Sequence, residues 1–248
     1  MNVYYFLNAA LYCISMSTVL SAYKVQPVNV LRTLAHNKAL FTQGLSYHPP
    51  YLYESSGLYG SSKIIQYTWP SMTIIKEKPI KHAWFAEGLT LLNNKLVVLT
   101  WREHTALVID KHTFKVKKTH TYPQEGWGLT TDNKHYIMTT GNHCILFKNS
   151  AFKTIKTLCL KEKIASSWQL NDITYHNGFL YANVWYQDII VKIHPLKGEL
   201  DTIYDASALR KALPKPHNAE VLNGITSIGS NKLLITGKYW PIMFEIAV

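Results

Sequence analysis

Glu87 is the acid around which chemistry could be organised. It stands in FAEGL, after Phe85 and Ala86 and before Gly88 and Leu89, at what reads as the start of a central strand. A carboxylate there is costly unless it is paired or protonated, so its presence points to proton transfer. The cation suited to pair with it is Lys238, in TGKYWP. Amide and indole side chains occupy matching places elsewhere. Gln43 in FTQGL, Trp127 in EGWGL, Asn171 in QLNDI and Asn223 in VLNGI each stand two positions before a Leu or Ile. A second register lies 12 residues after Leu89 and Ile173, at Trp101 and Trp185, with Gly57 and Gly141 at the same offset from Leu45 and Leu129, and Lys238 13 residues after Ile225. One carboxylate, one ammonium, several amides and three indoles, brought to one point, would make a chemically selective pocket.

The elements that must bring them together are legible as a repeat. Leu45, Leu89, Leu129, Ile173 and Ile225 recur at steps of about 40 to 50 residues, the period of a propeller. Each repeat breaks into short β-segments separated by Asn, Gly and Asp turns. The third reads GLTTD, HYIMTT, HCILFK and FKTIKTLCL. Four such strands make one blade, and five repeats predict an all-β, five-bladed β-propeller as a single catalytic domain over residues 23–248. The last repeat runs out after three strands, so VNVLRTL, from Val28 to Leu34, is predicted to supply the strand that closes the final blade. The turn between first and second strands returns the chain to the end where it began, so both registers should open at one mouth of the central channel. Helical periodicity is confined to DASALRKAL, Asp205 to Leu213.

Composition narrows the classes. Apolar residues make up 47% of the chain and aromatics 12%, ample for a core. The net charge of +11 comes from scattered side chains with no basic arm or nucleic-acid module, which reads as a solvated basic surface and argues against nucleic-acid binding. Residues 1–22 carry no charged side chain and resemble a secretory signal with a cut near Ser21 or Ala22, or else an uncleaved anchor. Export to a periplasmic or extracellular compartment follows from that reading. Cys144 and Cys159 sit symmetrically about a hairpin turn at Lys148 to Phe152. They could oxidise across antiparallel strands or remain two buried thiols, and both readings stay open.

FTQGL, ESSGLYGSS, FAEGLTLL, LTWR, EGWGLT, LYANVW and TGKYW, taken in order, resemble the plant and bacterial glutamine cyclotransferase family over nearly the whole chain after residue 35. That family is a five-bladed propeller that converts N-terminal glutamine to pyroglutamate with release of ammonia. The resemblance implies Glu87 as the general acid and base with Lys238 beside it. It implies Gln43, Trp101, Trp127, Asn171 and Trp185 as substrate-binding residues, with no metal or other cofactor. The implied partners are peptides or proteins beginning with glutamine, acted on by a monomer with no nucleic acid and no membrane partner beyond the export segment. One departure is visible: LNDIT, with Asp172 and Thr174, stands where the family is richer in glutamate. Two rival readings are a calcium-dependent, lactonase-like propeller hydrolase and a non-catalytic propeller that binds peptides or sugars. A single carboxylate beside Lys238 speaks against the first, and a Glu–Lys pair is more than the second requires.

Overall fold

The computed structural model describes residues 23–248; the segment read as an export signal lies outside them. Five sheets are arranged around a central channel. The first four blades run inner to outer in sequence: strands β3–β6 (Thr42–His48, Tyr51–Ser56, Lys63–Thr68, Ile74–Pro79), β7–β10 (Ala86–Leu92, Lys95–Thr100, Thr105–Asp110, Val116–Thr121), β11–β14 (Leu129–Thr131, Tyr136–Thr139, Cys144–Lys148, Thr154–Cys159) and β15–β18 (Leu170–His176, Phe179–Val184, Ile189–Ile193, Leu200–Asp205). The fifth blade is β19–β21 (Leu222–Ser227, Lys232–Gly237, Ile242–Ala247) closed by β2 (Asn29–Ala35), antiparallel to β21, as the truncated last repeat predicts. A further strand, β1 (Val25–Pro27), adds in parallel to β18, and nothing in the repeat foreshadows it.

Burial follows position in the blade. The inner strand β7 is buried along its whole length, whereas β10, VKKTHT, is almost entirely exposed. The apolar core is correspondingly divided into five clusters, one at each seam between neighbouring blades. Leu45, Leu89, Leu129, Ile173 and Ile225, the apolar members of the repeat, are each no more than 2% exposed and hold those seams from the inside. The predicted helix is a single short α1, Ser207–Lys211, whose Leu209 packs into the seam between the fourth and fifth blades. Cys144 and Cys159 are directly paired across β13 and β14 and joined by a disulfide near the surface, which decides against two buried thiols.

Candidate active site

The repeated signature is a β-bulge. In β7 the ladder passes from Ala86–Thr100 to Leu89–Val98, so Glu87 and Gly88 together oppose Leu99. The same slip occurs at Gln43 in β3, at Asn171–Asp172 in β15 and at Asn223–Gly224 in β19. A bulge re-aims the extra side chain, here toward the channel, and leaves the apolar residue after it in register with the seam. The glycine is needed because inner strands crowd at the axis: the Gly88 N–H donates to the Trp127 carbonyl at 2.6 Å, and a Cβ on Gly88 would lie 2.4 Å from the Leu129 nitrogen. Gly141, in the second register, serves a different end. A Cβ there would fall 2.4 Å from the Trp127 ring, so its absence seats that indole.

Gln43, Glu87, Trp101, Trp127, Asn171, Trp185 and Lys238 line one cavity of about 250 Å³ at one mouth of the channel, together with Phe41 and Phe85. The two phenylalanines were not anticipated. A signal existed: each stands two residues before a pocket residue, in FTQGL and FAEGL, and a strand's period of two puts such residues on one face.

Glu87 is 5% exposed, and one Gln43 amide N–H reaches its Oε1 at 3.3 Å. Burial pushes its carboxyl well above the usual carboxylate range. Lys238 draws it back, while the charges of Asp172, Glu125 and Glu103 push it further up. Lys238 is not in ion-pair contact with it. Its ammonium lies 4.5 Å over the Phe41 ring, and burial lowers its pKa against the opposing pull of Glu87 and Glu220. The pair therefore interacts through the low dielectric of the pocket instead of through a direct bond.

Asn223 does not reach the cavity wall, contrary to its place in the repeat. It is fully buried behind Gln43, where its Nδ2 donates to Gln43 Oε1 at 2.9 Å and to the Thr42 carbonyl at 3.0 Å. That bond fixes the Gln43 amide with its NH₂ turned to Glu87. Asn171, which lines the cavity, keeps a buried Oδ1 with no hydrogen-bond partner among the described residues. Asp172, the departure in LNDIT, is buried beyond the pocket. Its Oδ2 accepts the N–H groups of Leu45, at 3.2 Å, and Ile225, at 2.8 Å, tying three inner strands together. Burial pushes its carboxyl up to about 8 in spite of these bonds.

Two of the indole walls share a holder that sequence reading missed. Glu125 Oε2 accepts the Trp101 N–H at 2.8 Å and the Trp127 N–H at 3.1 Å, while Arg102 binds its other oxygen and lies 3.9 Å over the Trp101 ring. Trp127 meets Trp185 edge to face at 5.3 Å. The result is a stiff, largely apolar box with one carboxyl, one amine and two amides turned inward.

Comparison with known proteins bears on this geometry. The family model described as glutamine cyclotransferase matches residues 5–248. A glutaminyl-peptide cyclotransferase of Arabidopsis thaliana is 30% identical over 231 residues, which cover 91% of this chain and 72% of that protein. The crystal structure of Myxococcus xanthus glutaminyl cyclase superposes with a TM-score of 0.80 at 28% identity, covering 90% of this chain and 97% of that one.

Proposed function

The chain belongs to the glutamine cyclotransferase family, and from that premise we propose that it cyclises N-terminal glutamine with Glu87 as the proton carrier. The observation that carries the proposal is Glu87 itself: a buried carboxyl held well above the usual range, inside a cavity whose other polar groups are amides and one amine. The α-amine of the substrate attacks its own Cδ, forming the ring C–N bond. Glu87 takes the proton shed by that nitrogen and delivers it to the departing amide nitrogen, which leaves as ammonia. A shuttle of this kind works best with a pKa near the operating pH, and burial supplies the upward shift. The Gln43 amide and Lys238 can stabilise the oxyanion that develops at Cδ, a role in which one donor contributes about 3–4 kcal/mol. Asn171 Oδ1 can accept from the substrate amine. The indoles keep the chain folded for attack and exclude water.

A cavity of about 250 Å³ is smaller than the ~300–1,000 Å³ of sites that enclose a drug-sized ligand, so it suits one terminal residue. The donor set supports metal-independent chemistry, because a calcium ion needs about six to eight oxygens and Lys238 would repel it. Among the described residues the one cluster of metal-binding types is His143 with Cys144 and Cys159, and those sulfurs are already bonded to each other. We also propose export, supported by the disulfide and the charge-free first 22 residues. Incubation with a glutamine-initiated dipeptide in excess EDTA is expected to release ammonia; silence with EDTA and activity with added calcium would overturn the metal-free reading, and silence in both would overturn the cyclotransferase reading.

A further inference from the structure

A pocket for one residue leaves open where the rest of the peptide goes. Trp185 is a pocket wall, and the next residue, Tyr186, turns out of the site with its ring tilted against that of Trp185, centroids 4.3 Å apart, and 75% exposed. Tyr186 has a φ of 57°, and corresponding turns hold Leu58 at 97° and Tyr239 at 60°. Left-handed backbone is thus a property of these turns. What sets Tyr186 apart is its exposure, since Tyr239 is half-buried with its ring against Phe41 at 5.2 Å. A large aromatic left in solvent at the lip of a site is a ready contact surface.

Beside it opens a cleft of about 550 Å³ lined by Tyr186, Asp188, Arg210, Glu220 and Val221. It adjoins the active site on two sides. Tyr186 follows Trp185 directly, and Glu220 and Val221 pair with Lys238 through two backbone hydrogen bonds of 2.8 and 3.0 Å. Its charges are unequally occupied. Arg210 is engaged by both Asp188 oxygens at 2.7 Å and by the Glu220 carbonyl at 2.7 Å, so the Arg–Asp pair is closed. The Glu220 carboxylate accepts no hydrogen bond and joins no ion pair among the described residues, and it is exposed.

We propose that this cleft is the subsite for the residue following the N-terminal glutamine, with the peptide leaving over Tyr186 and a basic side chain favoured opposite Glu220. The inference rests on the cyclotransferase reading and deepens it. Long-range attraction works the other way, because a net charge of +11 favours acidic peptides. A preference for a basic second residue therefore reports the cleft and not the overall field.

The test measures ammonia release from glutamine amide, which has no second residue, and from Gln-Lys-amide and Gln-Glu-amide. The wild-type protein should show a KM for the Lys peptide about 2- to 5-fold below that for the Glu peptide. Glu220→Gln should level that order and Glu220→Lys reverse it. Tyr186→Ala should raise the KM of both dipeptides about 2- to 10-fold relative to that of glutamine amide. A Lys/Glu ratio that ignores Glu220 overturns the inference. So does a Tyr186→Ala effect equal on all three substrates, which would make Tyr186 a prop for Trp185. If the wild-type protein releases ammonia from none of them, the cyclotransferase reading falls and the subsite falls with it.

Discussion

Two buried acid–base pairs in this ring are built on the same principle and tuned to opposite ends. His36 and Glu54 lie where the closing strand β2 meets the first and fifth blades, with side chains 1% and 0% exposed and Nε2 to Oε1 at 2.9 Å. Every ring nitrogen and carboxylate oxygen there has a partner. His36 Nδ1 donates to the Trp240 carbonyl at 2.7 Å, and Glu54 also accepts from Thr42 at 2.6 Å and Tyr67 at 2.9 Å. Both ring nitrogens face acceptors, an arrangement that favours the charged imidazole. Burial pushes Glu54 up and His36 down, but their mutual charge and hydrogen bonds outweigh it, leaving Glu54 below and His36 above its ordinary value. Glu87 and Lys238 are also buried, at 5% and 7% exposed, yet Glu87 has one long amide contact and its carboxyl rises. Full satisfaction locks a charge in place; partial satisfaction leaves a proton free to move.

The contrast is testable first at its catalytic pole. Glu87→Gln should lower kcat for ammonia release by roughly 10²- to 10⁴-fold with a thermal midpoint no lower than wild type. A variant that keeps near-wild-type turnover would remove Glu87 from the chemistry. At the other pole, Glu54→Gln should cost about 3–5 kcal/mol of unfolding free energy, measured by denaturant titration, because His36 is left buried without its counter-charge. Its kcat at temperatures where it remains folded should stay near wild type. A loss of activity with unchanged stability would mean the two pairs are not separate devices.

The same pair fixes a pH window. His36 is raised above 6.5, so its contribution is complete below that pH and is lost as pH climbs through the raised value. Glu54 is held below 4.5, so its contribution is complete above that pH and is lost as pH falls through the lowered value. Thermal midpoints of wild type should therefore decline on both flanks of roughly pH 4.5–6.5 more steeply than those of His36→Gln combined with Glu54→Gln. The Glu87 carboxyl itself, followed without substrate by the infrared difference between wild type and Glu87→Gln, should titrate well above pH 4.5; a midpoint in the ordinary carboxylate range would erase the contrast. The smallest effect is expected at Asn223→Ala, which frees the Gln43 amide to rotate. About a tenfold loss in kcat with little change in KM is anticipated, since the bond that orients Gln43 is broken along with those to the Thr42 carbonyl and from the Asp172 N–H, all away from the substrate, and leaving a buried group unpaired costs about 1–3 kcal/mol. Equal losses in both constants would place Asn223 against the substrate itself.

Chain distance and local pattern were enough for the ring. A period of about 40 to 50 residues counts the blades, a short last repeat calls for Val28 to Leu34, and two cysteines equidistant from a turn define a cross-strand pair. These are one-dimensional facts, because strand pairing within a blade joins neighbours in sequence, and the closing strand, which departs from this, is announced by a last repeat that is a strand short. The side chains of the pocket were legible for a related reason: fivefold repetition carries equivalent positions to one axis, so an irregular residue in a regular place, such as Glu87 among Gln43, Trp127 and Asn171, marks the site. What each of them touches was not legible. Asn223 meets Gln43 across 180 residues and Gln43 meets Glu87 across 44, through side-chain rotations that no period encodes. Only the tertiary structure decided that Asn223 stands behind the pocket, that Lys238 acts on Glu87 without touching it, that Glu125 holds two indoles at once, and that the two cysteines are bonded. The reason is physical: repetition sets where backbones run, whereas hydrogen bonds and charge shifts depend on ångström-scale contacts between blades.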